Sequence, residues 1–256
     1  MRKKWGNIGN KTIPFIFLAA ILVFWQLIVD RGIIARYILP SPVDVILVGM
    51  KILPEIKVHL YTTLQEALTG LMVAIVFSLL LAMLMDNFSL IQKAVQPLLI
   101  VSQTIPTMVL APLFAMWFGF GLLPKIMVVI LVCFFPLVVS LLEGLNSLDP
   151  DFLNLMKSMK ANRWQMFYLA KFPSALPNFF SGLKIAATYS IIGAVIGEWM
   201  GGKAGLGVYM TRVRQSFALD KVFATILIIV FLSLVLFKII ELIQFLLMPW
   251  RRAINK

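Results

Sequence analysis

The chain has 256 residues, of which 61% are hydrophobic and only 13% carry a charged side chain. So few charges cannot cover the surface of a water-soluble protein of this length, which excludes a soluble domain and predicts a polytopic all-α membrane protein. The net charge of +12 would favour nucleic-acid binding in a soluble protein. Here the basic residues gather at the ends of apolar runs, so we expect contact with the lipid bilayer and no nucleic-acid partner.

Six apolar segments are long enough to cross the roughly 30 Å hydrocarbon core of a bilayer. The first could imitate a signal peptide, but its length and the lack of a small-x-small cleavage site favour an uncleaved span. The six predicted spans cover residues 14–29, 64–85, 95–118, 126–142, 179–199 and 223–247.

The basic residues favour cytoplasmic N- and C-termini. Twelve Lys or Arg residues fall in segments predicted to be cytoplasmic, and nine, Lys125 among them, fall in segments predicted to be external. This difference is small, and the dense basic clusters at residues 2–4 and 251–252 decide the orientation. Trp250 is expected to anchor the C-terminal end at the membrane interface.

Two predicted external segments contain more than a simple loop. Residues 43–53 form an amphipathic run that predicts an interfacial helix on the membrane surface. The second segment begins with a glycine cluster at 201–207 and continues into an expected short helix at 208–217.

The sequence gives no support for metal chemistry or a cofactor. Cys133 is the single cysteine and lies in an apolar run, while His59 is the single histidine. A lone histidine beside an interfacial stretch is more often an interface residue than a ligand.

Prolines and polar residues in the third span predict a bent helix beside a transport pathway. Each proline removes a backbone donor and clashes with the preceding turn, so the helix is expected to kink. An ordinary packing kink is an equal alternative. The uncharged pathway candidates are Gln103, Thr104 and Thr107, which flank Pro106, and Tyr189 in the fifth span.

Two carboxylates are further candidates for the pathway or for a gate. A charge within hydrocarbon costs roughly 2.5–3.5 kcal/mol, so Glu66 is expected to face the bundle interior or an end cavity. Glu198 directly precedes the glycine cluster and could hold a gate or a loop through hydrogen bonds. For each, a solvated interfacial carboxylate is the alternative. Glu241 is expected to pair with Lys238, three residues before it.

The fifth span has a face of small residues that predicts close helix packing. The packing partner is a second membrane subunit, the third span or another helix of the chain. The small residues are Ser181, Gly182, Ala186, Ala187, Ser190, Gly193, Ala194 and Gly197.

The largest polar segment, residues 143–177, predicts two short helices. Asp149 can cap the first helix, and Pro150 suits its first position. An apolar stripe then follows at helical spacing, and a turn near 162–164 leads into a second helix that is expected to end at Pro173. An exposed stripe with basic flanks fits docking into a groove of another protein. A purely structural re-entrant loop is the alternative.

This segment resembles the cytoplasmic coupling loop of ATP-binding cassette (ABC) importer permeases. That pattern reads Glu-Ala-Ala, three residues, Gly, nine residues and Ile-x-Leu-Pro. Asn154, Leu155 and Met156 stand in the Glu-Ala-Ala places and Lys160 in the glycine place, so only Pro173 matches literally. The resemblance implies that contacts to an ATPase lie at Asn154, Leu155, Met156, Met159, Lys160, Ala161, Arg163 and Trp164.

Motifs over nearly the whole chain are similar to the nitrate, taurine, alkanesulfonate and thiamine-precursor branch of these permeases. They run in the same order as in that branch. These motifs are LPSP at 39–42, IP at 105–106, APL at 111–113, WFG at 117–119, DP at 149–150, ANRWQ at 161–165, PSALP at 173–177, GLK at 182–184 and GEW at 197–199.

The resemblance implies the type I ABC importer permease fold, with about six transmembrane helices and a cytoplasmic coupling helix. The permease domain would cover 58–244, between an N-terminal region at 1–57 and a cytoplasmic tail at 245–256. The implied partners are a cytoplasmic ATPase dimer, a second permease subunit (a copy or close paralogue) and an external solute-binding protein. Because the chain has no Walker-type phosphate loop, a partner is expected to bind ATP.

Two other function classes lack support in the sequence. An intramembrane enzyme would need paired catalytic groups within the spans. A secondary carrier or channel acting without an ATPase would need internal repeats and midplane charges, and neither is visible. Few cationic groups lie near the pathway candidates, which favours a flat heterocycle such as a thiamine-precursor pyrimidine over a sulfonate or nitrate.

Overall fold

The computed structural model describes residues 3–249, with side chains from residue 12 onward. Within this part the chain is helical and has no strand, which confirms the predicted all-α class. The helices are α1 Lys3–Asp30, α2 Pro42–Asn87, α3 Ser89–Gln103, α4 Thr107–Phe118, α5 Leu122–Leu145, α6 Pro150–Ser158, α7 Arg163–Met166, α8 Phe172–Trp199, α9 Leu206–Gln215 and α10 Leu219–Leu247.

Five helical stretches in the described residues are long and apolar enough to span a membrane. The bent pair of α3 and α4 makes a sixth if it is counted as one span, so the expected number of spans is confirmed. Arg2, Trp250, Arg251, Arg252 and Lys256, on which the predicted orientation and anchoring depend, lie outside the described residues.

The third predicted span, 95–118, is broken rather than continuous. Helix α3 ends at Gln103, α4 begins at Thr107, and the two axes are bent by 101°. Pro106 explains the break, because it lacks an N–H donor and disfavours helical backbone at Ile105.

The expectation of a separate interfacial helix at 43–53 is wrong. These residues form the first turns of α2, which continues for 46 residues. Pro42 occupies the first helical position, and the Ser41 hydroxyl accepts a hydrogen bond from the Asp44 N–H at 3.1 Å. Pro54 does not end the helix, because the residues after it contain no glycine or further proline until Gly70.

The described residues fall into two compact units. The first combines the chain up to residue 57 with residues 209–228. There the rings of Trp25 and Phe223 pack 6.3 Å apart, and Lys221 pairs with Glu55 at 3.3 Å. The second unit combines residues 58–208 with the chain from residue 229, and it contains the candidate site.

Helices α5 and α8 pack closely through small residues and form the core of the second unit. A Cβ atom on Gly182 would lie 2.6 Å from Ser140, and one on Gly193 would lie 2.7 Å from Val132. The small-residue face of the fifth span therefore packs within the chain, which decides between the packing partners left open by the sequence. Cys133 is buried at this contact and donates to the carbonyl oxygen of Ala186 at 3.2 Å.

Candidate transport pathway and coupling hairpin

A cavity of about 330 Å³ opens where the break between α3 and α4 faces α5 and α8. None of the residues lining it carries a charged side chain. The lining residues are Ser102, Gln103, Ile105, Thr107, Leu131, Val132, Phe135, Pro136, Tyr189, Ile192, Gly193 and Ile196.

Three of the uncharged pathway candidates meet in this cavity. Gln103 ends α3, Thr107 begins α4, and Tyr189 projects from α8. The first two lie on either side of the break in the third span, and Tyr189 faces the cavity from α8. Thr104 is not among the lining residues and donates to the carbonyl oxygen of Val101 at 2.7 Å. A carboxamide, two hydroxyl groups and aromatic rings can bind a small uncharged solute.

Sequence reasoning missed the aromatic and aliphatic wall that α5 supplies to the cavity. Phe135 and Leu131 lie one turn apart on the same face, and both line it. The neighbouring Pro136 was the available signal, because a proline within a span indicates irregular backbone beside a pathway.

The two candidate carboxylates lie outside the cavity lining, in a buried cluster. Glu66 of α2 is fully buried, as expected for an inward-facing carboxylate, and its Oε1 atom accepts from Lys125 Nζ at 2.7 Å. Lys125 itself is buried within the first turn of α5. The sequence interpretation counted it among the membrane-flanking lysines of an external segment, whereas the structure places its side chain inside the bundle.

Glu198 is buried at the end of α8 and holds the loop that follows. Its Oε1 atom accepts from the Thr63 hydroxyl at 2.6 Å, and its Oε2 atom accepts from the Gly207 N–H at 2.5 Å. His59 Nδ1 lies 3.0 Å from both N and O of Gly205. Gly205 has a φ of +131°, a backbone conformation that side chains other than glycine rarely adopt. The loop after α8 is thus tied to α2 and α8.

The predicted coupling segment forms a helical hairpin, which we call the coupling hairpin (residues 151–172). Asp149 caps α6 by accepting from the Asp151 N–H at 2.9 Å, as expected. A reciprocal capping box starts α7, with Asn162 and Gln165 each accepting the other's N–H at 2.8 Å. These local bonds fix the two helix starts without help from the rest of the chain.

The coupling hairpin exposes apolar side chains. Phe152, Leu155 and Met159 of the predicted stripe are 47%, 56% and 75% exposed. Trp164 is 69% exposed and stacks on Tyr168, with 6.0 Å between the ring centroids. The hairpin can therefore bury apolar surface when it contacts another molecule.

Lys160 has a positive φ of 60° in the turn after α6. This residue stands where the coupling-loop pattern has glycine, and left-handed backbone is what glycine adopts without steric cost. The departure from the pattern thus changes the side chain and keeps the backbone conformation that suits a glycine.

The second helix of the hairpin does not end at Pro173, contrary to expectation. A π-helical turn, Phe167–Lys171, joins α7 directly to α8. Pro173 lies just after the π-helical turn, so the irregular backbone that a proline within a helix requires occurs where the two helices join. The hairpin is therefore continuous with a membrane-spanning helix that lines the cavity.

A second cavity of about 340 Å³ lies at the base of the coupling hairpin. It is more polar than the first, with Lys157 and Arg163 at its edge and the Lys171–Asp86 ion pair in its wall. No group of three or more His, Cys, Asp or Glu residues in the described part of the chain could hold a metal ion.

Comparison with known proteins identifies the family to which this chain is similar. The family of binding-protein-dependent transport system inner membrane components matches residues 74–253. The formylaminopyrimidine transport permease protein ThiX of Halalkalibacterium halodurans is 38% identical over 93% of this chain and 96% of its own. The riboflavin transport system permease protein RibX of Chloroflexus aurantiacus is 31% identical, over 98% of this chain and 93% of the relative.

A more distant relative also aligns over almost the full length. The putative aliphatic sulfonates transport permease protein SsuC of Bacillus subtilis is 26% identical, over 98% of this chain and 91% of the relative. The family match covers the coupling hairpin and the cavity, and Glu66 of the buried cluster lies before its first residue. The chain therefore belongs to the binding-protein-dependent inner membrane components and is a multi-pass permease of an ABC transport system.

Proposed function

We propose that this permease imports a small uncharged heterocycle through the cavity between the α3–α4 break and helices α5 and α8. The observation that carries the proposal is the lining itself, which offers Gln103, Thr107 and Tyr189 among apolar and aromatic side chains and no charge. The cavity volume of about 330 Å³ lies near the lower end of the roughly 300–1,000 Å³ that is typical of small-molecule sites.

The chemistry of the lining argues against anionic substrates. Sulfonate and nitrate are usually held by Arg or Lys side chains through charge-assisted hydrogen bonds. The lining residues include neither. Two relatives carry the names of heterocycles, formylaminopyrimidine and riboflavin, and these are 38% and 31% identical to the chain. The sulfonate relative, at 26%, is less similar.

ATP hydrolysis belongs to separate cytoplasmic subunits in this proposal. The chain has no Walker-type phosphate loop, so in this proposal ATP is bound by the partner subunits and the permease needs no cofactor of its own. A dimer of ATPase subunits contacts the coupling hairpin through the exposed residues of α6 and the turn after it. Closure of that dimer on ATP moves the hairpin, and because the hairpin continues into α8, the motion reaches the cavity.

The ATPase-contact set is the one implied by the coupling-loop pattern. It comprises Asn154, Leu155, Met156, Met159, Lys160, Ala161, Arg163 and Trp164, of which all but Met156 and Ala161 are classed as exposed.

Two further partners complete the proposed transporter. A second permease subunit, a copy or a close paralogue, supplies the other half of the pathway. An external solute-binding protein delivers the substrate, and both chain termini lie in the cytoplasm. Glu66 and Glu198 act at the end of the bundle as gate residues rather than as ligands of the substrate.

Substrate class is tested first on the cognate solute-binding protein. Its thermal unfolding is measured with pyrimidines, flavins, sulfonates and nitrate, and we expect stabilisation by a heterocycle only. Stabilisation by a sulfonate alone would overturn the heterocycle proposal.

The transport mechanism is tested by mixing the purified permease with its ATPase subunits in lipid nanodiscs. We expect the loaded binding protein to stimulate ATP hydrolysis. Solute movement in proteoliposomes without any ATPase would instead identify a secondary carrier. Labelling of cysteines introduced into the coupling hairpin from one side of the membrane checks that the hairpin is cytoplasmic.

A further inference from the structure

Glu66, Lys125 and Glu198 form a buried cluster beside the cavity. The Glu66–Lys125 ion pair is the most deeply buried ion pair in the described residues. The side chains of Glu66 and Lys125 are 0% and 7% exposed, and Glu198 is 1% exposed. The cluster joins α2, α5 and α8 at one end of the second unit. Within this cluster Lys125 pairs with Glu66, whereas Glu198 is held by the Thr63 hydroxyl and the Gly207 N–H.

The cluster holds the segment that follows α8, residues 200–207, which we call the glycine segment. Lys125 Nζ approaches the carbonyl oxygen of Ala204 at 3.4 Å. The Leu206 N–H donates to the Thr63 hydroxyl at 2.8 Å, and the Gly207 N–H donates to Glu198 Oε2 at 2.5 Å. These two N–H groups belong to the first turn of α9 and have no acceptor within that helix. The segment is therefore fastened through its backbone.

Glycine is required where the segment meets the cluster. A Cβ atom on Gly205 would overlap the Glu198 carboxylate, and one on Gly207 would lie 2.5 Å from the carbonyl oxygen of Val195. Because the fit is this close, the glycine segment cannot move away from the cluster without breaking its hydrogen bonds to Lys125, Thr63 and Glu198.

The fastened segment lies beside the cavity along the same two helices. Lys125 precedes Leu131 of the lining by six residues, or about 9 Å along α5. Glu198 follows Ile196 of the lining by two residues on α8. Gly197 brings the two helices together here, since a Cβ atom on it would lie 3.0 Å from the Cα atom of Lys125.

We infer that Lys125 is a positioning residue for transport, which is paired with Glu66 and together with Glu198 and Thr63 latches the glycine segment across one end of the cavity. The inference rests on the proposed function, because it assigns a closed end to the proposed pathway. It extends beyond the gate role suggested for the two carboxylates, since it makes the buried cation, which contacts Glu66 and the Ala204 carbonyl oxygen, part of the fastening.

Charged groups suit a latch better than apolar ones would. A buried ion pair adds little net stability compared with well-packed apolar side chains, because desolvation offsets the attraction. When the segment lifts, water restores the hydration of the Glu66–Lys125 ion pair, so the open arrangement is not strongly disfavoured. An apolar contact would favour the closed arrangement alone. The cluster therefore supports two discrete states.

The experiment uses the full-length permease with its ATPase subunits and binding protein, in nanodiscs for hydrogen exchange and in proteoliposomes for uptake. Two variants weaken the latch: Lys125→Met removes the cation, and Thr63→Val removes the hydroxyl at constant volume. We expect the amides of Leu206 and Gly207 to exchange hydrogen about tenfold faster in both variants, as local opening becomes easier. We also expect uptake per ATP hydrolysed to fall about tenfold, while hydrolysis without binding protein is retained or rises.

Matched variants separate a latch from general damage. Lys203→Met removes an equal charge from an exposed position of the same segment, and we expect no change in exchange or uptake. The exchanged pair Glu66→Lys with Lys125→Glu keeps a buried ion pair between the same two positions, so it should restore part of the coupling. A simple packing role would not predict that rescue.

Each outcome decides a different point. Unchanged exchange at Leu206 and Gly207 in both variants would refute the latch. Faster exchange with normal uptake per ATP would refute its role in transport and leave the permease assignment intact. Absence of stimulated ATP hydrolysis in the wild-type complex would overturn the proposed function, and the exchange data would still test the latch. If the Lys125→Met variant does not insert into the membrane, hydrogen exchange and uptake per ATP are compared for Thr63→Val and the exchanged pair instead.

Discussion

Lys171 Nζ lies 2.6 Å from Asp86 Oδ1, and this ion pair ties the π-helical turn of the coupling hairpin to the last turn of α2. The Asp86 side chain is 7% exposed and that of Lys171 is 23% exposed. The pair is thus shielded enough to be stronger than a surface salt bridge. It gives the hairpin a second connection to the bundle besides its continuity with α8.

Replacing Asp86 with Asn should destabilise the protein by about 1–3 kcal/mol, because Lys171 keeps its charge and loses its counter-charge. Thermal unfolding in detergent measures the loss. The double variant Asp86→Asn/Lys171→Met should lose less than the sum of the single variants, since the unpaired charge is gone. Lys238→Met, which removes an exposed partner of Glu241, should change the unfolding temperature little. Fully additive losses would show that the pair does not couple.

Lys160→Gly should be tolerated, because position 160 already has left-handed backbone. The relief of about 1–2 kcal/mol of steric cost is partly offset by the greater freedom of glycine in the unfolded chain. The matched variant Lys157→Gly removes the same charge within α6 and should cost about 1 kcal/mol. The two unfolding temperatures make the comparison. An equal loss in both would mean that the positive φ at 160 carries no strain.

Aspartate at Met159 or Ala161 should uncouple transport while the permease still inserts into the membrane. Met159 is 75% exposed, so a charge there costs little in the isolated permease and becomes unfavourable only where the ATPase covers it. Uptake and ATPase stimulation are measured beside the amount of protein in membranes. Asn146→Asp adds a charge at an exposed site outside the hairpin and serves as the control. Normal uptake by both hairpin variants would refute the proposed contact.

The hairpin was predictable because its signals are local. Asp149 and Asn162 each bond a backbone N–H two or three residues away, so the sequence alone determines where both helices begin. The spans were predictable for a similar reason, since length and apolarity suffice to identify them. Helix ends were harder to predict from the sequence, because Pro54 and Pro173 both lie within helices that continue past them.

The buried cluster was not predictable, because its partners are distant in the chain. Glu66 and Lys125 are 59 residues apart, and nothing near Lys125 distinguishes it from a lysine that flanks a span. Its pairing depends on how α2 packs against α5, which periodicity does not specify. The cavity was partly predictable, since Pro106 indicated a bend next to Gln103 and Thr107. Pro136 marked this part of α5, but which of its neighbours lines the cavity depended on tertiary packing.

Tyr189→Ala should lower maximal uptake about three- to tenfold at saturating loaded binding protein, because the cavity loses an aromatic surface worth about 0.5–1.5 kcal/mol. Tyr189→Phe keeps the ring and should retain most of the activity. Ile185→Ala, one turn earlier on α8 and outside the lining, controls for shortening an exposed side chain. Uptake of the radiolabelled substrate checks all three variants. Equal losses in Ile185→Ala and Tyr189→Ala would remove Tyr189 from the pathway.

Gly182→Ala should destabilise the protein by about 1–3 kcal/mol, because its new methyl group would lie 2.6 Å from Ser140 and 2.9 Å from the carbonyl oxygen of Pro136. Backbone cannot move aside as a flexible side chain can, so α5 and α8 must separate. Gly49→Ala is the matched control, since its nearest neighbour would be Ala224 at 3.9 Å, an ordinary contact. Alanine there should gain up to about 1 kcal/mol from helix propensity. Thermal unfolding should therefore shift in opposite directions for the two variants, and a shift of the same sign would contradict close packing at Gly182.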